Sequence, residues 1–392
     1  MIKAFKYRFY PTPEQDVVLR RTVGCSRYVW NKALALRSEA WKNGQNRIPG
    51  KELSSLLPEW KKDPETEWLS EAPAVALQQK LNDLEVAYSN FFQKRAKYPR
   101  FKKKVSGGGF RLVGTAFRIR EGQLYVAKCK DPLRVRWSRP LPKGSTPTSI
   151  TIKLNSDQTW HVSILCEDAS IQPLPHTDKQ VGLDMGVTAL VTTSDGEKIN
   201  NSKPYKKARK KLAHQQRKLA RKKLGSNNRF KAKVKLARTH QHISNIRKDQ
   251  LHKLTTRLVH ENQVIAVEDL SVRNMMKNHC LAGSIADSGW WTLRSMLEYK
   301  CKWYGRELLV VDRWFPSSKT CSHCGHVVEK MQLSVREWIC PVCGTDHDRD
   351  INAAQNILAA GHVVNACGGD VRPKGLRSWK QSSVKQETSR AT

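Results

Sequence analysis

Val-Gly-Leu-Asp-Met-Gly-Val, residues 181–187 of a 392-residue chain, is an apolar segment that contains a single acid, Asp184. Its pattern predicts a buried strand, and the preceding linker 172–179, with two prolines, indicates that a new domain starts here. A carboxylate on a buried strand is costly unless it is paired or binds a cation. The segment therefore marks a candidate site as well as an element of the fold.

Two more acids occur on comparable elements further along the chain. Glu268 ends the apolar strand Val-Ile-Ala-Val-Glu, and Asp350 opens the predicted helix Asp-Ile-Asn-Ala-Ala-Gln-Asn-Ile-Leu. Together with Asp184, these carboxylates could hold two Mg²⁺ ions about 4 Å apart, an arrangement that supports phosphodiester hydrolysis.

Each of these acids also has an ordinary structural explanation. An acid in such a position can equally be a helix cap or part of a salt bridge, and Asp350 is a plausible N-cap. Because side chains alternate along a strand, Asp269 is expected to point to the opposite face from Glu268. The neighbouring acids that compete for a place in the site are Asp269, Asp312 and Asp348.

The cysteine spacing gives the most specific pattern in the chain. Cys321-x-x-Cys324 is followed, after fifteen residues, by Cys340-x-x-Cys343, and a glycine follows each pair. Two such pairs supply four thiolates to one tetrahedral, closed site, which predicts one structural zinc ion. The alternative is four free thiols or a redox pair. Three nearby histidines could substitute as ligands, but the four cysteines suffice, and we interpret these histidines as surface residues: His323, His326 and His347. The other cysteines are interpreted as ordinary thiols in a reducing cytosol: Cys25, Cys129, Cys166, Cys280, Cys301 and Cys367.

The charge balance indicates the kind of partner. Lys and Arg number 70 against 35 Asp and Glu, a net charge of +35, while 39% hydrophobic residues exclude a wholly disordered chain. The chain has no long apolar run and no visible secretory signal, so a cytoplasmic protein is expected. Such a charge calls for a polyanion, and nucleic acid is favoured over an anionic membrane surface.

The most basic stretch is residues 203–257, which contain 20 Lys or Arg and one acid, Asp249. Its pattern is helical with a break at residues 225–228. Without a polyanion such helices would repel themselves, so we expect them to contact phosphates without reading sequence. The residues expected to make these contacts are Lys210, Lys211, Arg221 and Lys222.

The N-terminal part begins with an alternating strand over residues 2–10. Thr12-Pro-Glu-Gln15 is a capping box that starts a helix, and a second helix is predicted from Pro73. Two hairpins, near residues 118–126 and 150–164, are expected to join the first strand in an antiparallel barrel.

Further along, apolar residues three or four positions apart predict a helix over residues 290–304, and the apolar run 308–311 predicts a strand. A last helix is expected from Asp350 to Ala360, with Gly361 as its stop.

Taken in order, several motifs resemble those of the TnpB family, insertion-sequence-encoded relatives of type V CRISPR effectors. The resemblance covers about residues 1–361. It rests on Phe5-Lys-Tyr-Arg-Phe-Tyr-Pro-Thr-Pro-Glu-Gln15, Tyr98-Pro-Arg-Phe-Lys102, Gly182-Leu-Asp-Met-Gly186, Glu268-Asp-Leu270, Ser318-Lys-Thr-Cys-Ser-His-Cys-Gly325 and Asp348-Arg-Asp-Ile-Asn-Ala-Ala354.

The resemblance implies a multidomain α+β, two-lobed, RNA-guided DNA endonuclease of a transposable element. Its acids map by motif onto Asp184, Glu268 and Asp350, which implies RuvC-type, Mg²⁺-dependent cleavage. The implied partners are a guide RNA from the element's end, one protein per RNA, and double-stranded DNA that carries a short adjacent motif. The expected domains are a wedge β-barrel (1–9 and 106–178), a helical recognition domain (10–105), a RuvC-like nuclease domain of RNase H fold (179–314 and 347–369), a zinc ribbon (315–346) and a disordered tail (370–392).

A further group of candidate site residues lies on a predicted helix. The helix from Pro73 buries leucines on one face, so Gln79 and Lys80 are expected outward, with Gln78 at the border, as candidates for reading the adjacent motif.

The rival functions are a nuclease-dead guided repressor, which should lack one of the acids, and a DNA transposase, for which no helix-turn-helix signature stands out.

Overall fold

We describe the protein from a computed structural model, in which residues 1–104, 107–142, 144–168, 170–332 and 334–367 are described, with side chains up to residue 363. The predicted disordered tail lies outside the described residues. The chain forms two compact units, one of residues 1–170 with 222–238, the other of residues 171–221 with 239 onward. Among the described residues, no helix is both long and apolar enough to cross a bilayer.

The first unit contains a helical segment between its first and second strands. Its elements are β1 (Ile2–Tyr10), α1 (Pro13–Lys42), α2 (Gly50–Ser55), α3 (Leu57–Lys62), α4 (Ala74–Phe92), β2 (Gly108–Val113), β3 (Phe117–Arg120), β4 (Gln123–Val126), β5 (Arg134–Arg136), β6 (Pro147–Leu154) and β7 (Trp160–Glu167). The predicted capping box of α1 is confirmed, because the Thr12 hydroxyl accepts from the Gln15 amide and the Gln15 side chain accepts from the Thr12 amide.

Five of these strands form one antiparallel sheet in the order β2-β6-β7-β1-β5. Its buried face carries Phe5, Tyr7 and Phe9 of β1. The predicted antiparallel barrel is met in part. Strands β3 and β4 form their own hairpin outside the five-stranded sheet, and one antiparallel bridge, between Leu124 of β4 and Leu133, links this hairpin to the segment before β5.

The second unit is built on a mixed sheet. Its elements are β8 (Gln180–Asp184), β9 (Ala189–Thr193), β10 (Lys198–Asn200), α5 (Pro204–Ala220), α6 (Asn227–Glu261, shared with the first unit), β11 (Val264–Glu268), α7 (Val272–Met275), α8 (Ala282–Ser288), α9 (Trp290–Tyr304), β12 (Glu307–Val311), β13 (Glu337–Ile339), β14 (Asp346–Asp348) and α10 (Arg349–Cys367). The strand order is β10-β9-β8-β11-β12, with β8, β11 and β12 parallel and β9 antiparallel to β8.

Helix α10 lies close against this sheet, and two glycines permit the approach. A Cβ at Gly182 of β8 would overlap the carbonyl oxygen of Ala354, and one at Gly361 would lie 3.1 Å from the Cβ of Ala266. The expectation that Gly361 ends the helix was wrong, since α10 continues to Cys367. The physical reason is that this glycine serves close packing on the sheet rather than a left-handed cap.

Candidate active site and metal centres

The cysteine pairs form two turns of the same shape. In the first, the Gly325 amide donates to the Cys321 carbonyl at 2.9 Å, and the Cys321 amide donates to the His326 carbonyl at 2.8 Å. In the second, the Gly344 amide donates to the Cys340 carbonyl at 2.9 Å. Both glycines have positive φ, 75° and 69°, a conformation that few other residues adopt easily. Each turn thus directs its two thiols to one side.

These turns bring four sulfur atoms together. The Sγ atoms of Cys321, Cys324, Cys340 and Cys343 all lie within 4.8 Å of one another, and within the described ranges no other group of three or more Cys, His, Asp or Glu converges in this way. Four thiolates and no open position match a structural zinc site, as the sequence predicts.

His347 differs from the expectation for it. It is 7% exposed, its Nε2 lies 3.0 Å from Cys321 Sγ, and its ring lies on that of Trp338. The surface assignment was wrong for this residue because the β13–β14 pairing sets Trp338 directly opposite His347 and covers it. His323 is exposed, as expected, and His326 is half-buried.

The three acids meet at one edge of the second unit's sheet. Asp184 ends β8 and Glu268 ends β11, and these adjacent parallel strands are in register through Leu183 and Val267. Because parallel strands end at the same edge, both carboxylates project there. Asp350 reaches the same place from the first turn of α10. All three side chains are half-buried.

The electrostatics of this edge indicate carboxylates that repel one another. Burial, with the charge of Asp350 next, raises the pKa of Asp184 to about 7. Burial and then the charge of Asp184 raise the pKa of Glu268 to about 7. Carboxylate oxygens are the ligands that Mg²⁺ prefers in proteins. A divalent cation would relieve the repulsion, which is why this donor set fits Mg²⁺.

Two arginines offset part of this negative charge. Arg336 Nη1 lies 3.5 Å from Asp350 Oδ1, and Arg349 is buried and donates to the Gln332 carbonyl at 2.8 Å. Their positive charges lower the pKa of Asp184, but burial and Asp350 outweigh them. These arginines were not among the predicted site residues. Their position in the sequence, close to the acids and cysteines, was the observation that could have indicated them.

Asp348 takes the structural role that was open for Asp350. Its Oδ1 accepts from the amides of Asp350 and Ile351, each at 3.0 Å, so Asp348 caps α10. Its Oδ2 accepts from Lys198 Nζ at 2.5 Å. Asp350 is therefore left to face the other two acids.

The other competing acids are also occupied elsewhere. Asp269 turns away from Glu268, as expected, and bonds the guanidinium groups of Arg294 and Arg313. Burial opposes ionisation of Asp269, but these hydrogen bonds outweigh it and lower its pKa. Asp312 accepts from the Trp314 amide at 2.8 Å and shapes the turn after β12.

The basic stretch forms helices α5 and α6, with a break over residues 221–226. The N-terminal amides of α5 are held by the buried carboxylate of Asp287, which accepts from Tyr205 at 3.0 Å and Lys206 at 3.1 Å. The four residues predicted to contact phosphates are all exposed, namely Lys210, Lys211, Arg221 and Lys222. Their contact with nucleic acid remains a prediction.

The candidate motif readers on α4 are arranged differently from the expectation. Gln78 is exposed, Gln79 is half-buried, and Lys80 is buried with its Nζ 2.6 Å from Asp83 Oδ2. The expected outward position of Lys80 was wrong because helix rotation carries it toward the buried face beside Leu77 and Leu81.

Comparison with known proteins identifies the family. A protein of Streptomyces pristinaespiralis named "Putative RNA-guided DNA endonuclease" is 54% identical over 392 residues, covering 100% of this chain and 97% of that protein. This chain belongs to the TnpB family. A protein of Escherichia coli K12, "Putative RNA-guided DNA endonuclease InsQ", is 39% identical to this TnpB chain and covers 94% of both.

Family models match three parts of this TnpB chain: "Probable transposase" of the OrfB_IS605 type over residues 161–279, the "Cas12f1-like, TNB domain" over 290–357, and a "Helix-turn-helix domain" over 1–46. Residues 1–46 here form strand β1 and the single long helix α1, so the third name does not describe their structure.

A solved structure shares the fold. The chain in the structure described as "Cryo-EM structure of the Cas12f1-sgRNA-target DNA complex" matches 91% of this TnpB chain and 98% of its own length, with a TM-score of 0.54 at 14% identity. The likeness supports the predicted multidomain α+β fold.

Proposed function

We propose that this TnpB chain is an RNA-guided DNA endonuclease whose acid edge hydrolyses phosphodiester bonds. The observation that carries the proposal is the meeting of Asp184, Glu268 and Asp350 at one sheet edge, where burial and mutual repulsion raise the pKa of the first two to about 7. Groups with strongly shifted pKa values are concentrated at functional sites. The printed names of the two relatives point to the same activity.

The side chains of this edge would have different roles in the reaction. Asp184, Glu268 and Asp350 would hold two Mg²⁺ ions, which when bound activate water and stabilise the leaving oxygen. Ser317 keeps Glu268 in place through a hydrogen bond of 3.4 Å. Arg336, whose side chain is 58% exposed beside Asp350, is placed to neutralise charge on the phosphate.

The proposal also includes the expected domains and the expected RNA and DNA partners. A wedge (1–9 and 106–178) with the recognition domain (10–105) would form one lobe, and a RuvC-like nuclease of RNase H fold (179–314 and 347–369) with a zinc ribbon (315–346) the other. The mixed sheet with acids at its carboxyl edge supports the nuclease assignment. One protein would bind one guide RNA from the end of its element and cut double-stranded DNA next to a short motif.

The experiment uses the full chain purified with its RNA. Sequencing that RNA gives the guide, and a plasmid that carries the complementary target is then offered with and without Mg²⁺. Wild type should cut only with Mg²⁺, and Glu268→Gln should bind the plasmid without cutting. The matched control is Asp249→Asn, because Asp249 is an exposed acid of the same unit paired with Lys253. Cutting by Glu268→Gln at the wild-type rate would refute the assignment.

A DNA transposase is the second candidate, because one matching family model carries that description. Such an enzyme reads the element ends itself, whereas a guided nuclease depends on RNA. RNase treatment of the purified complex separates the two, since DNA binding should be lost only for the guided protein. A nuclease-dead repressor is less favoured, because all three acids are present.

Gln78 remains the candidate for reading the adjacent motif, since a glutamine side chain can bond the edge of adenine in two places. It is exposed on α4, while Lys80 is already paired with Asp83. Gln78→Ala should change the motif preference in a library of randomised motifs and leave RNA binding intact. An unchanged preference would place the reader elsewhere.

A further inference from the structure

Two large apolar side chains stand in solvent on segments that bond Asp269, the residue after Glu268. Trp291 is 70% exposed and Trp314 is 75% exposed. A single exposed tryptophan needs no explanation, but two on segments joined through one carboxylate indicate a surface that binds something.

The backbone places both residues at the edge that carries Glu268. Strand β12 runs parallel to β11 with Val311 opposite Glu268, and Trp314 follows three residues after Val311. Trp291 is the second residue of α9, one helical turn before Arg294.

A single carboxylate ties the two segments together. Arg294, on the turn after Trp291, and Arg313, next to Trp314, both bond Asp269. Asp269 directly follows Glu268 in the chain and its carboxylate turns away from Glu268, so both tryptophan segments lie near the carboxyl end of β11, on the side of Asp269.

Both side chains are held outward by buried neighbours. Trp290 is 2% exposed and packs in the core, which turns the adjacent Trp291 to solvent. After β12, the Asp312 carboxylate accepts from the Trp314 amide at 2.8 Å and the Asp312 carbonyl accepts from Phe315 at 3.1 Å. Phe315 packs on the core beneath, which leaves Trp314 outside.

We propose that Trp291 and Trp314 form a stacking platform for the bases of an unpaired DNA strand on its way to the acid edge. Every base offers a flat face to an indole, so such a platform works without sequence preference. The occupant is a polyanion by charge complementarity, because the chain carries a net charge of +35 and Arg336 is exposed beside Asp350. The proposal rests on the proposed function, which supplies the reason for a strand to be there.

The test measures binding of labelled oligothymidylate to the full protein–RNA complex in a Glu268→Gln background, where the probe is not cut. The double variant Trp291→Ala, Trp314→Ala should bind the probe at least about tenfold more weakly, since stacking is worth about 1–3 kcal/mol per base. The slope of log K against log salt should not change, because no phosphate contact is lost. The Phe double variant should recover most of the affinity.

The matched control is Trp41→Ala, because Trp41 is 83% exposed on α1 in the other unit. It should bind the probe like the parent. Unchanged affinity in the double variant, equal loss in the control, or a flatter salt slope would each overturn the platform. So would a change of oligomeric state by light scattering, which would make the tryptophans a protein contact.

The outcomes also separate this inference from the proposed function. If wild type cuts the guided target and probe binding does not depend on the tryptophans, only the platform is refuted. If probe binding depends on the tryptophans and wild type cuts no target, only the proposed nuclease is refuted.

Discussion

The cysteine cluster and the acid edge are both sets of metal-binding side chains, yet they are assembled in opposite ways. The four sulfur atoms already lie within 4.8 Å of one another, because each pair sits on its own short turn. The acids come from β8, β11 and α10 and remain further apart, and burial, with the charge of a neighbouring acid next, raises the pKa of Asp184 and Glu268. The comparison teaches that local turns can shape a closed metal site, whereas the acid site exists only after a sheet and a helix have packed.

The largest expected effect is on the cysteine side of this comparison. Cys340→Ser should remove zinc and loosen residues 315–346, because structural zinc contributes on the order of 10 kcal/mol to local folding. Zinc analysis and hydrogen exchange measure both changes. Cys280→Ser is the control, since Cys280 is exposed and outside the cluster. A native protein without zinc would contradict the assignment.

The next effect separates the acid edge from its neighbours. Asp350→Ala should reduce guided cutting by at least about 1000-fold, since metal ions supply several kcal/mol of transition-state stabilisation. Asp348→Ala should cost mainly a helix cap, about 1 kcal/mol of stability, and cut more slowly but measurably. Plasmid cleavage and thermal unfolding give the two quantities. Equal loss of cutting in both variants would leave the choice between these aspartates open.

The raised pKa of Asp184, caused first by burial and then by the charge of Asp350, predicts a dependence of stability on pH. Asp184 has its pKa raised to about 7 in the folded chain, so between its ordinary value and pH 7 the folded state binds more protons than the unfolded state. The free energy of unfolding therefore falls as pH rises through this range. Without added Mg²⁺, the free energy of unfolding of Asp184→Asn relative to wild type should increase between pH 5 and pH 8, by on the order of 2 kcal/mol.

Urea unfolding at the two pH values measures this gain, and added Mg²⁺ should reduce it at pH 8 by stabilising wild type. A gain that is the same at both pH values would show that folding does not raise the pKa of Asp184.

The smallest effect concerns residues outside both sites. Replacing Lys210, Lys211, Arg221 and Lys222 by Ala should weaken binding of all sequences equally, by about tenfold, and flatten the slope of log K against log salt by about one unit per lost phosphate contact. Titrations at several salt concentrations measure the slope. An unchanged slope would make these helices an ordinary solvated surface.

The sequence predicted the parts whose cause is local. The capping box at Thr12 and Gln15, the hairpin from β6 to β7 and the cysteine turns depend on residues a few positions apart, and all are confirmed. The break between α5 and α6 was predicted at residues 225–228 and lies at 221–226, since Asn227 and Asn228 already belong to α6.

The parts that failed depend on packing that the local pattern does not show. His347 is buried because Trp338 pairs opposite it, and Gly361 is used for close packing on Ala266 and not as a helix stop. Lys80 lies on the buried face of α4 beside Leu77 and Leu81, where it pairs with Asp83. Likewise, only the fold shows that Asp348 rather than Asp350 caps α10. A polar or glycine residue has several possible uses, and its neighbours in space select among them.

The glycines beneath α10 bear on how activity is lost during evolution. Gly182 and Gly361 let the helix lie flat, and a methyl group at Gly182 would overlap the Ala354 carbonyl, lift the helix and carry Asp350 away from its partners, whereas one at Gly361 would meet Ala266 at 3.1 Å. Because a displacement of about 1 Å can cost about 100-fold in rate, such a chain could keep its zinc, its acids and its hold on DNA while losing the ability to cut. A family member that binds DNA but no longer cuts it could therefore keep all three acids and differ at one of these glycines.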